Sequence, residues 1–286
     1  MGQEEAIPMQ AMDQEIDQLF KRMLSRKPQM ATLQNISKPE RAPRCQKCND
    51  REFILTGDGA VECECRKRKI IERNIRSSMI DKAFSEATFA NYKTLPHTKE
   101  MLQTARDYAT NFREVRRERA NGLAFTARVG EARIMKAIGS KRAEMKHKHN
   151  SYGMGKTHLL SAVANTLLPQ GVQVVMVCDT DIVAELRQGQ FAADTPDYFE
   201  GLIQKLESVE LLIWDDLGKA KTTDWVLNQY YRIFNSRYRK GLPVCISTNE
   251  DLDTLAERIG DSTASRLYAI CKPRLVVCEG PDYRLR

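Results

Sequence analysis

Residues 153–168 read GMGKTHLLSAVANTLL. Gly155-Lys156-Thr157 is the ending of a phosphate-binding loop. Backbone N–H groups there wrap an anion, the lysine neutralises the β and γ oxygens, and the threonine hydroxyl reaches Mg²⁺. The apolar residues that follow predict a helix over 156–168, which adds the positive end of its dipole. His158, on its first turn, joins Gly155, Lys156 and Thr157 as a nucleotide-contacting candidate. The triplet alone is weak, but two further segments strengthen it. Residues 211–216 read LLIWDD, four apolar residues ending in two acids. Asp215 there is placed to hold Mg²⁺ and Asp216 to orient the attacking water. Residues 245–249 read CISTN, a strand ending in polar groups, with the Asn249 amide able to touch the terminal phosphate or the water.

Around these motifs the chain alternates. Residues 122–126, 172–178, 210–214, 242–247 and 274–278 are short, nearly uniform apolar runs, as expected of strands buried on both faces of a parallel sheet. Helical stretches separate them. The pattern predicts an α/β fold, a parallel five-stranded sheet flanked by helices.

The phosphate loop departs from its pattern. Six residues before Lys156, where the first glycine belongs, stands Asn150, and the text ahead of it, KRAEMKHKHNSY, is polar, basic and helix-like. The expected strand ends instead at Thr126. Omitting 131–153 leaves FTARVGMGKTHLL, an orderly strand-to-loop-to-helix joint, so 131–153 reads as an insertion in the phosphate loop. Closing an excursion of that length costs only a few kcal/mol. Phosphate geometry is less forgiving, because the loop works through consecutive amides curled about one anion. Three readings stand: a tolerated surface excursion, a degenerate loop, or an intervening sequence removed before maturation. His147 and His149 read as exposed.

Upstream, Cys45-x2-Cys48 and Cys63-x-Cys65 bracket REFILTGDGAVE, an alternating strand–turn–strand. A hairpin brings the two pairs together, and four thiolates at about 2.3 Å suit one tetrahedral Zn²⁺. With no open position the site is structural; unmetallated thiols are the alternative. The other four of the eight cysteines, Cys178, Cys245, Cys271 and Cys278, lie in apolar runs and read as core. The division expected is an N-terminal helical arm over 1–40 with a helix near 11–25, a zinc module over 41–76, a linker over 77–100 and the nucleotide-binding domain over 101–286. In the linker, Phe84, Phe89 and Tyr92 should pack on the next domain. Net charge is +7 and local: residues 41–76 carry ten Arg and Lys against six acids, and 131–153 carry six against two. Nucleic-acid contact and solvated basic faces both fit. No apolar run has the length of a membrane span, and the acidic, amphipathic start does not look like an export signal, which points to the cytoplasm.

GMGKTHLLSAVANTLL, LLIWDDLGKAKTTDW, VCISTN, SRL and EGPDYR together resemble the AAA+ ATPases of the DnaC/DnaI helicase-loader type, and CQKC…CECRKRK followed by FSEATFANY is similar to the front end of the DnaI branch. The resemblance covers roughly residues 41–286; IstB-type transposition ATPases share its core motifs. It implies that Asn249 is sensor 1, Arg266 the arginine finger reaching a neighbour's ATP, with Arg258 its rival, and Arg284 the sensor 2 arginine. It further implies ATP with Mg²⁺ as cofactors, a replicative DNA helicase and single-stranded DNA as partners, and a homo-oligomer when ATP is bound. Asp216 stands where many AAA+ proteins carry Glu. Three functions follow: an ATP-dependent helicase loader, a non-hydrolysing helicase-binding adaptor, and a transposition-helper ATPase.

Overall fold

A computed structural model describes residues 43–57, 59–191 and 196–282. The helix expected near 11–25 and Arg284 lie outside the described residues, as does Asp58 at the hairpin turn.

In the first of two compact units, Met1–Asp50, the described residues 43–50 form a tight turn. The Asp50 carboxylate accepts the N–H groups of Arg44 and Cys45, each at 3.0 Å. Arg51–Arg286 is the second unit. It opens with the antiparallel hairpin β1 (Phe53–Thr56) and β2 (Gly59–Glu62), then helix α1 (Glu64–Ser77). A connector leads to α2 (Lys99–Thr110) and α3 (Phe112–Val115), and strand β3 (Leu123–Ala127) follows. After β3 come α4 (Glu131–Lys136), α5 (Ser140–Lys148) and α6 (Lys156–Leu167). The chain continues through β4 (Val174–Cys178), α7 (Asp179–Phe191), α8 (Pro196–Ser208), β5 (Leu211–Asp215) and α9 (Asp224–Lys240). It then forms β6 (Val244–Ser247), α10 (Leu252–Ile259), α11 (Asp261–Cys271) and β7 (Leu275–Cys278).

Strands β4-β5-β6-β3-β7 lie in that order in one parallel sheet, the five strands read from the apolar runs. Side chains alternate between its faces. Leu212 and Trp214 of β5 enter a core with Tyr230 and Phe234 of α9, while Leu211 and Ile213 enter another with Leu159, Leu160 and Tyr108. Both faces are thus dry, which is why the strands carry no polar alternation. The Met176 N–H on edge strand β4 donates to the Ser78 carbonyl at 2.8 Å, taking up one group of the edge.

Two of the three connector aromatics pack as expected: Tyr92 is buried and Phe89 lies against the same core, while Phe84 is half-buried and outside that cluster. The connector's backbone is fixed by Asn165 of α6, whose amide donates to the carbonyls of Phe84 and Ala87 at 3.0 and 2.9 Å. Two expectations need correction. Cys245, Cys271 and Cys278 are buried, but Cys178, at the last position of β4, is only half-buried, because the sheet's covering ends there. His149 is not exposed on solvent: its Nδ1 lies 2.6 Å from a Glu279 carboxylate oxygen. Among the described residues no helix is long and apolar enough to cross a membrane.

Candidate nucleotide-binding site

Parallel strands present all their carboxyl ends at one edge, and α/β sheets bind ligands there. At that edge β5 delivers Asp215 and Asp216, β6 delivers Ser247, Thr248 and Asn249, and α6 begins at Lys156. The structure brings these groups into one hydrogen-bonded chain. Thr157 Oγ1 donates to Asp215 Oδ2 at 2.8 Å, and the Ser247 hydroxyl donates to the other Asp215 oxygen. Lys156 Nζ, nearly buried, donates to Asn249 Oδ1 at 2.5 Å and to the Ser151 carbonyl at 2.9 Å. Asn249 in turn offers its amide to Asp216 Oδ1 at 3.3 Å. Burial pushes the Asp215 carboxyl above the ordinary carboxylate range, and the Asp216 charge adds to that, while the Ser247 and Thr157 hydroxyls and the Lys156 charge oppose it.

Asp216 has φ +52°, a left-handed conformation for a residue with a Cβ, which costs on the order of 1–3 kcal/mol. Its N–H is held by the Ser247 hydroxyl at 3.0 Å. Ser247 therefore fixes both acids at once, a role missed in the sequence, where Ser247 reads only as the start of a polar strand end.

The segment Asn150–Gly155 turns into α6. Gly153 and Gly155 both take positive φ, +64° and +79°. A Cβ on Gly155 would lie 2.6 Å from the Tyr92 ring, so conformation and space both demand glycine. The Tyr92 hydroxyl donates to the Met154 carbonyl at 2.7 Å. His158 is placed differently from the phosphate-facing residues: its Nε2 lies 2.9 Å from the Thr88 carbonyl, and its ring is 5.4 Å from that of Tyr92. Tyr92, Lys93, Leu95, Gly153, Gly155 and His158 line a cavity of about 90 Å³ beside the loop. Nothing in the sequence marked Tyr92 beyond its apolar character; its place on the loop is a tertiary fact.

The excursion between β3 and the loop forms α4 and α5. Gly130, which the spliced reading joins to Met154, instead donates its N–H to Asp251 at 2.8 Å. Asn150 Nδ2 donates to the Gly280 carbonyl at 2.7 Å, and the Gly280 N–H returns to the Asn150 carbonyl at 2.9 Å. Helix α4 lies on α10 through ion pairs from Arg133 to Asp251 and Asp253, at 3.2 and 3.3 Å, and from Lys136 to Glu257 at 2.8 Å. Arg128 before the excursion and His149 after it both reach Glu279, at 2.9 and 2.6 Å. One carboxylate thus clasps the two ends.

Of the two finger candidates, Arg266 lies away from these groups. Its Nε donates to Asn235 at 2.9 Å, its Nη1 to the Ser262 carbonyl at 2.7 Å, and it sits over the Tyr231 ring. Arg258 faces its own chain's site, 3.7 Å from Glu250.

The ligand sulfurs of Cys45, Cys48, Cys63 and Cys65 all lie within 4.8 Å of one another. Tetrahedral zinc with bonds of about 2.3 Å needs sulfurs about 3.8 Å apart. The donor set and its spacing fit one ion held by four thiolates.

A loop ending in Gly155-Lys156-Thr157, a hydroxyl-braced acid pair and a strand-end amide lie together at the carboxyl edge of a β4-β5-β6-β3-β7 sheet, an α/β fold that matches AAA+ structures. The particular family follows from comparison. Residues 149–285 match the family described as IstB-like ATP binding protein, the match opening one residue before Asn150. Phage-like element PBSX protein XkdC of Bacillus subtilis (strain 168) is 25% identical over 84% of this chain and 84% of its own length. Replicative helicase loader DnaC of Escherichia coli (strain K12) is 27% identical over 40% of this chain, a match that spans 46% of the loader. A crystal structure of the DnaC helicase loader superposes with a TM-score of 0.51 at 21% identity, over 70% of this chain and all of that one. Residues 149–285 thus resemble the IstB-like ATP-binding proteins, and the chain is similar in sequence and fold to the DnaC helicase loaders.

Proposed function

We propose that this protein is an ATP-dependent loader that places a replicative DNA helicase on single-stranded DNA. The observation that carries the reading is the continuous chain from Lys156 through Asn249 to Asp216, alongside Thr157 on Asp215. It gathers at one sheet edge the groups that triphosphate hydrolysis needs. The base lies against the cavity that Tyr92, Lys93 and His158 line, and the phosphates lie against the amides leading into α6. Thr157 and Asp215 hold Mg²⁺, which neutralises charge on the phosphate oxygens. Asn249 and Asp216 position the water. Arg266, turned away from its own site, serves a neighbouring copy as the arginine finger, so the active form is a homo-oligomer. Arg284 is the sensor 2 arginine. The four cysteines hold a structural Zn²⁺, and the basic helix that follows them contacts nucleic acid. The likeness to E. coli DnaC supports a helicase as partner.

A second reading rests on Asn150 in the place of the first loop glycine and on the excursion before it. In that reading the protein is a helicase-binding adaptor that does not hydrolyse ATP. Steady-state ATP hydrolysis by the zinc-loaded full chain separates the two. The loader reading expects hydrolysis stimulated by single-stranded DNA and reduced to background in Lys156→Ala. Helicase capture that is indifferent to nucleotide and to Lys156→Ala, without hydrolysis, would select the adaptor. Co-purification with a transposase in place of a helicase would point to a transposition helper.

A further inference from the structure

Asp216 and Asn249 also wall a cavity of about 150 Å³, whose other sides include Lys219, Glu250, Arg258 and Glu131, the first residue of α4. Three carboxylates border this space, and two are already engaged. Asp216 accepts from the Asn249 amide at 3.3 Å and lies 3.9 Å from Lys219 Nζ. Glu250 is almost fully buried, receives the Ala132 N–H on both oxygens at 3.2 and 3.1 Å, and pairs with Arg258. Its task is to fasten the start of α4.

Glu131 differs. It is only half-buried, and its own N–H donates to the Asn249 carbonyl at 2.9 Å. That bond fixes its backbone to the residue whose side chain touches Lys156. Burial pushes the Tyr152 hydroxyl, on the loop itself, above its ordinary range, and the Glu131 carboxylate beside it adds to that. Glutamate also reaches one methylene further than Asp216, which is held back by a strained backbone.

We propose that Glu131, supplied by the excursion, is the carboxylate that deprotonates the water that Asn249 and Asp216 position against the terminal phosphate. This deepens the loader reading and rests on its ATPase activity. The water oxygen bonds to the γ-phosphorus as the bond from that phosphorus to the β,γ-bridging oxygen breaks. The electron pair leaves with ADP, and the water proton passes to Glu131 and then to solvent. The excursion is then part of the catalytic apparatus.

The test is ATP hydrolysis by the full-length, zinc-loaded protein with Mg²⁺ and single-stranded DNA, together with binding of fluorescent ADP. Glu131→Gln is expected to lower kcat by about 100-fold or more and to leave the ADP Kd within about twofold. Glu131→Asp should fall between the two. Arg133→Ala, on the same helix but facing Asp251 and Asp253, should stay within about threefold of the unaltered protein. Glu131→Gln turning over at the unaltered rate would overturn the assignment. So would an equal loss in Arg133→Ala, because the effect would then be one of helix docking. Absence of hydrolysis by the unaltered protein would sink the ATPase reading and this one with it, and is recognised without any substitution.

Discussion

The hairpin β1–β2 and the five-stranded sheet use similar residues and are held in different ways. All eight hairpin residues are exposed, Leu55 at 76% and Val61 at 57%, whereas β5 is buried along its whole length. Apolar side chains stabilise a sheet only where a second layer removes them from water, at about 25 cal/mol per Å² buried. The sheet has helices on both faces. The hairpin is flanked by four clustered cysteines, and on the proposed zinc reading a metal supplies what burial does not.

The contrast breaks first on metal removal. Stripping zinc by chelation should cost the hairpin about 10 kcal/mol or more of apparent folding energy. Hydrogen exchange would show the amides around Cys63 losing protection while those of β5 and β6 keep theirs. Equal loss in both regions would join what the account separates. Phe234→Ala, in the core beside Trp214 and Tyr230, should destabilise the ATP-binding domain by about 3–5 kcal/mol in denaturant unfolding and leave the zinc content unchanged. Asp179→Ala comes next, at about 2–3 kcal/mol. Its buried carboxylate receives Trp214 Nε1 at 2.8 Å, the Tyr230 hydroxyl at 2.7 Å and the Ala220 N–H at 2.7 Å, all of which would lose their acceptor. Glu279→Gln sharpens the comparison at the smallest scale. Half-exposed ion pairs contribute about 1 kcal/mol or less, so the melting temperature should barely move. Tryptic cleavage between Arg133 and Lys148 should nevertheless accelerate, because the clasp on Arg128 and His149 is weakened.

The sheet was legible in the sequence because burial on both faces leaves one signature, an unbroken apolar run, and β3 to β7 each carry it. Lys156, Thr157, Asp215 and Asn249 were legible because their spacing follows from strand ends meeting a helix start. The excursion was legible only as an interruption. Its ion pairs join Arg133 and Lys136 to Asp251, Asp253 and Glu257, residues over 100 positions away. Charged residues on a short polar helix carry no local mark of their partners. His149 was misread for the same reason, since Glu279 lies 130 positions on. The bracing roles of Ser247 and Tyr92 were not legible, because a side chain bracing another group has no motif of its own.

The account depends on a triphosphate lying between Lys156 and Asp215, beside an excursion that leaves the loop competent. Calorimetric titration of the full-length, zinc-loaded chain with ATP and Mg²⁺ tests this most directly. The expected result is saturable one-site binding, weakened roughly tenfold to a hundredfold by Lys156→Ala, as loss of a charge-assisted contact requires. Absence of binding at millimolar ATP or ADP, or equal affinity in Lys156→Ala, would contradict it.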